Sequence, residues 1–372
     1  MRIKIQQFLF FKSHSWAVVG QNLGRAFIKQ GHDVEFISTD GIDYRFLPKD
    51  LIPFVRDRPN GIYDMQLSYT APHNWPNYTS NGIKRRYAIW NYEYNSKQFD
   101  NKSFSLLHGF GKYYKSVDYV LPSSNFTKDV FLNMKIPENK MIVIPHGINL
   151  EDYTKDEVWS LKTKKNKKIL LNVAQPHLRK ALHLALEAFG KAFTKKDDVC
   201  LVAKIFKQNK TNHPFDVDFN QIYKEFEHKF PNHAEVEFVF DYITNIASIY
   251  KACDINFSAT HTECWHLPSL EALACGLINI VPRYGGILDF CNNTNSLLID
   301  GSVKRAPKNH QYWESNPFAV HFVINTDDAA KKLKLAVEQY DHLKSLFSQN
   351  MKTTSEKFTW DLAAKQILSI DS

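Results

Sequence analysis

Two hydrophobic periods alternate along the chain. Short, nearly continuous apolar runs are followed by longer stretches whose apolar positions recur every three or four residues, the pattern of strands buried on both faces and of helices with one buried stripe. In the first half, strands are expected at residues 3–9, 34–38, 62–69, 87–92, 119–122 and 141–144. A helix is expected at 17–30 with Val18, Leu23, Phe27 and Ile28 turned inward and Gly31 at its end, and another at 125–134 with Ser124 as N-cap. The second half repeats the scheme, with strands at 169–174, 199–205, 236–240, 255–259 and 277–281 and helices at 181–193, 243–251, 268–276 and 327–340. Leu184, Ala185, Ala188 and Phe189 share one face of the 181–193 helix, and a last helix lies in FTWDLAAKQIL. Residues 40–60, broken by Pro48, Pro53 and Pro59, read as irregular. Strand–helix–strand alternation implies parallel sheets in an α/β protein.

The most informative stretch is INFSATHTECWHLPSLEALACGLINIVPRYGG, residues 255–286. An apolar strand leads into a polar loop, and Pro268 suits the first helical turn, where a missing N–H costs nothing. Gly276 suits the helix end, and Gly285-Gly286 closes the next strand in a turn. In parallel sheets such loops are where ligands bind, and a helix N-terminus receives anions. Glu263 and Glu271 bracket this corner. Carboxylates repel phosphate but accept hydrogen bonds from diols, so a ligand with a central phosphate and hydroxyl-rich ends, a nucleotide sugar, fits. On spacing alone, a solvated Glu263 and a Glu271 that merely favours the helix dipole fit as well.

ECWHLPSLEALACG resembles the Glu-x7-Glu signature of the retaining glycosyltransferases of the GT-B fold, family 4 (group 1) and its relatives. Glu263, Trp265, Leu267, Pro268, Glu271, Ala272, Ala274, Cys275 and Gly276 match it, while Cys264 stands for the usual Gly and His266 for Gly or Asn. GQNLGRAFIKQGHDVEFIS, VDYVLPSSNFTKDVF, MIVIPHGINLEDY and the C-terminal FTWDLAAKQIL also resemble the family. In QPHLRK, Arg179 and Lys180 match the basic residues of an R-x-x-K-G-like loop, with Ala181 in place of Gly. Other family features are changed: the first loop, FKSHSWA, has no glycine but carries His14 and Ser15, and Asp289 stands for the usual Glu.

The resemblance implies two Rossmann-like domains with parallel sheets facing across a cleft. The acceptor domain would span residues 1–148, joined by the C-terminal helix 358–372, and the nucleotide-sugar domain 149–357. It implies glycosyl transfer from a UDP-, GDP- or ADP-sugar to the hydroxyl of a saccharide, lipid or other acceptor, with retention and with neither cofactor nor metal. Glu263 would orient the donor sugar and Glu271 would bind ribose hydroxyls. Arg179, Lys180 and the helix start at His266, Leu267, Pro268 and Ser269 would stabilise the departing diphosphate, with Gly285 and Gly286 beside them. AIWNYEYNSKQF resembles a W-x-W-E segment and places Glu93 on the acceptor side, where many relatives carry a histidine; His108 does not fall there. A sugar-nucleotide epimerase of the same fold, or a non-catalytic sugar-binding relative, would share these features.

Charge adds a second asymmetry. Residues 1–148 hold 19 Lys/Arg against 12 Asp/Glu, and the remainder 28 against 27, so nearly all of the net +8 lies in the first half. That suggests an anionic acceptor or peripheral contact with the inner membrane face, equally with generic solubilising charge. No nucleic-acid motif is evident. The N-terminus MRIKIQQFLFF lacks a signal peptide's core, and no apolar run approaches the ~20 residues of a membrane span, so a cytoplasmic protein is expected. The five cysteines, Cys200, Cys253, Cys264, Cys275 and Cys291, are odd in number and without a C-x-x-C, which argues for reduced, buried thiols. The lysines of 162–168 read as a solvated lead-in, and Asp216-x-Asp218, in a polar insert, as chance. Among the aromatic residues of 75–94, Trp90 is expected in the core and Trp75, in a Pro-flanked loop, at a sugar-stacking surface.

Overall fold

The computed structural model describes residues 1–7, 15–39, 47–59, 61–76, 83–95, 112–163, 167–175, 177–205, 217–308 and 318–370. The chain divides into two compact units, Met1–Asn149 with Phe358–Ser372, and Leu150–Lys357.

Unit 1 is built on six parallel strands: β1 (Arg2–Gln7), β2 (Asp33–Ser38), β3 (Val55–Arg56), β4 (Met65–Tyr69), β5 (Arg85–Ile89) and β6 (Tyr119–Leu121), in the order β3-β2-β1-β4-β5-β6. Helix α1 (Ser15–Lys29) follows β1, and α2 (Asn125–Asn133) follows β6, with the Ser124 hydroxyl accepting the Thr127 N–H at 3.1 Å. Leu23 and Phe27 of α1 are buried as the apolar pattern expects, but the other two marked residues are not. Val18 is exposed and Ile28 only half-buried, whereas Gly20 and Gly24 lie against Gln7 and Phe36 so closely that a Cβ would sit within 2.0 Å of those side chains. The small residues set the phase.

Residues 141–144 form no strand; Met141 makes one isolated bridge to Val120. Trp75 is not a surface platform. It is 1% exposed, donates its Nε1 to the Thr70 carbonyl at 3.1 Å and meets Trp90 edge-on, because the turn Pro72–Asn74 folds it inward. Trp90 is in the core as expected.

Unit 2 begins with a short helix, α3 (Leu150–Thr154). It continues through β7 (Lys168–Val173), α4 (Leu182–Ala192), β8 (Val199–Lys204), α5 (Phe219–Lys229), β9 (Glu235–Val239), α6 (Ala247–Lys251), β10 (Ile255–Phe257), α7 (Leu267–Ala274), β11 (Ile278–Pro282) and β12 (Ser296–Ile299). Its six strands are again all parallel, ordered β12-β11-β10-β7-β8-β9. β13 (Gly301–Arg305) and β14 (Val320–Ile324) then pair as an antiparallel ribbon, and α8 (Thr326–Glu338) and α9 (Tyr340–Lys357) follow. Neither the ribbon nor α9 is apparent in the residue pattern. The final helix, α10 (Trp360–Leu368), belongs to unit 1 and packs on α1.

Each sheet has its first strand at the centre and reverses direction of growth beside it, the doubly wound Rossmann order. In unit 2 the reversal falls between β7 and β10, whose Leu170 and Leu171 pair with Ile255 and Asn256. The crevice beyond the C-terminal ends of that strand pair is the ligand position the topology dictates. Among the described residues no helix is long and apolar enough to cross a membrane. His14, His108, Asp216 and residues 309–317 lie outside the described residues; Asp218 is the N-cap of α5, accepting the N–H groups of Asn220 and Gln221.

Candidate active site

The loops that leave β7 and β10 meet at the switch point. After β7 the chain makes a turn at Leu178–Lys180, and Ala181 then takes a left-handed conformation (φ 51°, ψ 42°) to start α4. After β10 the loop 258–266 runs to His266, also left-handed (φ 80°, ψ 71°), which precedes α7. The two loops are tied together through their backbones. The Arg179 carbonyl accepts the His261 N–H at 2.8 Å, and Arg179 Nη1 donates to the Thr262 carbonyl at 3.1 Å.

That tie brings three expected residues into contact. Arg179 Nη1 lies 2.8 Å from Glu263 Oε2, and Lys180 Nζ lies 2.6 Å from Glu263 Oε1. The Thr260 hydroxyl is 2.9 Å from Glu263 Oε1 and 3.1 Å from the Arg179 carbonyl, and its single proton serves one of them. Glu263 is 6% exposed. Burial alone would raise its pKa, but the charges of Arg179 and Lys180 outweigh burial and hold the carboxyl well below the usual range. Glu263 therefore carries its charge at neutral pH, held between two basic side chains.

Gly285 and Gly286 fix the backbone of Glu263 from the other side. The Gly286 N–H donates to the Glu263 carbonyl at 2.8 Å. A Cβ on Gly285 would stand 3.0 Å from that same oxygen, and Gly285 is at φ 88°. The Gly286 amide is thus spent on the loop and does not face a ligand.

At the start of α7, Pro268 has no N–H and the Ser269 N–H is given to the His266 carbonyl at 3.1 Å. Of the three first helical residues, Leu267 keeps an amide that can turn to an anion. His266 Nδ1 and the Ser269 hydroxyl share a 2.7 Å hydrogen bond, and burial pushes the His266 pKa down to about 3, so the ring is neutral.

Glu271 lies further along α7 and is half-buried. Its Oε2 accepts the Tyr250 hydroxyl at 2.7 Å, and the Tyr153 hydroxyl donates to the same carboxyl. Burial raises its pKa above the usual range, against the lowering effect of the two phenols. Tyr153, Tyr250 and Thr260 are the residues sequence reasoning missed. Tyr250 looks like an ordinary core residue of α6, and Tyr153 like part of a domain crossing. Glu93 follows β5 in unit 1, partly buried. The five cysteines carry free thiols, and Cys264 is buried. Among the described residues no group of three potential ligands could hold a metal.

Residues 154–334, which include Arg179, Lys180, Glu263 and Glu271, match the family described as glycosyl transferases group 1. That match spans just under half of the chain. The chain is also similar to a probable sucrose-phosphate synthase of Thermosipho melanesiensis, 24% identical over 252 residues, 67% of this chain and 50% of that protein. The chain thus spans about half the length of that relative. Among solved structures it resembles a sucrose-phosphate synthase of Thermosynechococcus elongatus (TM-score 0.73, 13% identity, covering 100% and 98% of the two chains). It also resembles the Anabaena protein HepE in complex with UDP-glucose (TM-score 0.72, 12% identity, 100% and 99%) and a glycosyltransferase of Rickettsia africae (TM-score 0.71, 18% identity, 99% and 97%). With its two doubly wound parallel sheets and these likenesses in structure, the chain has the GT-B fold.

Proposed function

We propose that this protein transfers a glycosyl group from a nucleotide sugar to an acceptor hydroxyl with retention of configuration, a UDP-sugar being the first donor to test. The observation that carries the reading is the ionised cluster of Glu263, Arg179 and Lys180 at the switch point of unit 2. A carboxylate at that position can accept hydrogen bonds from donor hydroxyls, and the two cations beside it can take the negative charge that grows on the diphosphate. The Leu267 amide at the start of α7, beside His266 and Ser269, adds a donor to the same anion. The bond from the anomeric carbon to the diphosphate oxygen breaks, the bond to the acceptor oxygen forms, and the acceptor's proton passes to the departing diphosphate. No separate base is then required. Glu271 is assigned to the ribose hydroxyls.

Unit 1 is assigned the acceptor, with Glu93 on that side. Its charge, 19 Lys/Arg against 12 Asp/Glu over residues 1–148, supports an anionic acceptor or an anionic membrane surface at the cytoplasmic face. HepE, whose fold this chain shares, has been crystallised with UDP-glucose, which supports the choice of donor.

The test is release of nucleoside diphosphate from a panel of UDP-, GDP- and ADP-sugars by wild type and by Glu263→Ala. Release from one donor, reduced by about 10²-fold or more in the variant, is expected from the loss of one preorganised group. If no donor gives product or raises the melting temperature, the donor-site reading is wrong.

A further inference from the structure

Glu271 is held by two residues that no feature of the signature includes. Tyr250, on α6, is fully buried, and its hydroxyl donates to Glu271 Oε2 at 2.7 Å. Tyr153, on α3, gives its hydroxyl to the same carboxyl. Both helices pack against α7. The carboxyl is therefore gripped from its buried side while the residue keeps a solvent-facing part. A carboxylate offers about four lone-pair positions. Two phenol protons occupy the inner ones and leave the outer ones to a ligand with two adjacent hydroxyls.

Packing alone does not call for this arrangement. Phenylalanine would fill the same volume on α3 and α6, with no hydroxyl to bury. Two phenols that converge on one carboxylate instead fix its rotation and keep it a pure acceptor. Burial and the neighbouring carboxylate hold both phenol pKa values well above the ordinary value, so both remain donors through neutral pH. Loss of either donor would let the carboxyl, already raised by burial, rise further towards protonation.

We propose that Tyr153 and Tyr250 are positioning residues for nucleotide recognition, which set the Glu271 carboxylate so that it meets the ribose 2′- and 3′-hydroxyls and thereby select ribonucleotides over deoxyribonucleotides. The inference rests on the donor-site reading given above. It predicts a loss confined to the hydroxyl-bearing sugar, which a general loosening of α7 would not produce.

The experiment is calorimetric titration of the purified full chain with UDP, GDP and ADP and with their 2′-deoxy counterparts. Wild type is expected to bind one ribonucleoside diphosphate about tenfold more tightly than its deoxy form, the equivalent of about 1.4 kcal/mol. In Tyr250→Phe most of that preference disappears while deoxy affinity is unchanged, and the remaining preference fades at a lower pH limit raised above that of wild type. Tyr153→Phe, on the less buried helix, gives a smaller loss of the same kind and serves if Tyr250→Phe folds poorly. Variants that keep the wild-type melting temperature and the full ribose preference overturn the inference. If that preference is lost in Glu271→Ala yet intact in both tyrosine variants, the donor site stands and the inference alone falls. If wild type binds none of the diphosphates, the donor-site reading falls and takes the inference with it.

Discussion

Glu263→Gln removes the one negative charge of the cluster and keeps its shape. Arg179 and Lys180 have side-chain exposures of 14% and 17%, and Glu263 of 8%, so water screens little of what remains. Breaking a buried pair by neutralising one partner costs about 3–5 kcal/mol, because the surviving charge is left uncompensated. Arg179 keeps the Thr262 carbonyl, and the amide oxygen of glutamine can still accept one cation, which argues for the lower end, about 3 kcal/mol. For a unit the size of Leu150–Lys357 this lowers the melting temperature by about 6–12 °C. The assay is thermal unfolding of wild type and variant across pH. Glu263 has a folded-state pKa below its unfolded value of 4.5, so its contribution is complete above that value and is lost as pH falls towards the folded one. The deficit of the variant should be constant from pH 7 to about 5 and shrink below. Pyrophosphate should stabilise the variant more than wild type, because the carboxylate that competes with it for both cations is gone. A variant that melts with wild type at pH 7, or whose deficit persists unchanged down to pH 3, would refute the ion cluster as what holds this loop.

Two further substitutions test the backbone around the cluster. Gly285→Ala puts a methyl 3.0 Å from the Glu263 carbonyl at φ 88°, ψ −169°, a region that costs about 1–3 kcal/mol for other residues; melting temperature and diphosphate release should fall together, and loss of neither would contradict the lock. Ala181→Gly relieves a left-handed alanine, worth about 1–2 kcal/mol, but removes a buried methyl and loosens the unfolded chain. The melting temperature should therefore move by less than about 3 °C, whereas Ala181→Val, β-branched at φ 51°, should lower it clearly.

Strands buried on both faces read as unbroken apolar runs, so the two parallel sheets and most of their helices were legible from the residues. The hydrophobic pattern carries no information about lateral order, so the switch point between β7 and β10, which explains why the loops of Arg179 and Glu263 meet, was not. The β13–β14 ribbon escaped because every residue of β13 is exposed and GSVKR has no alternation. Helix α9 escaped because Leu343, Phe347 and Met351 give it one narrow stripe among polar residues. Trp75 was misjudged because flanking prolines suggest an outer loop, whereas here they build the turn that folds the indole against Trp90. At the site, Glu263, Glu271, Arg179 and Lys180 were legible from the motif, but Tyr250 and Tyr153 look like packing until their shared carboxylate is seen.

The departures from the family pattern bear on whether the site works. Among the described residues, the non-glycine positions with positive φ are Lys135, Ala181 and His266. Two of these three frame Glu263, at the positions where the resemblance expects glycine or asparagine. The backbone shape is therefore kept even though the residues that adopt it most cheaply are absent. At His266 the hydrogen bond to Ser269 recovers part of the cost; at Ala181 the buried methyl does, on a side chain that is fully covered. Left-handed backbone at non-glycine residues persists only where the surroundings over-determine it. Here they do so through the ion cluster, the tie between the Arg179 and Glu263 loops, and Gly285 pressed on the Glu263 carbonyl. A sugar-binding relative with no bond to break would need neither a charged carboxylate nor two cations held against it. The strain retained at this corner favours the proposed transfer over binding alone, and Glu263→Ala separates the two cases directly.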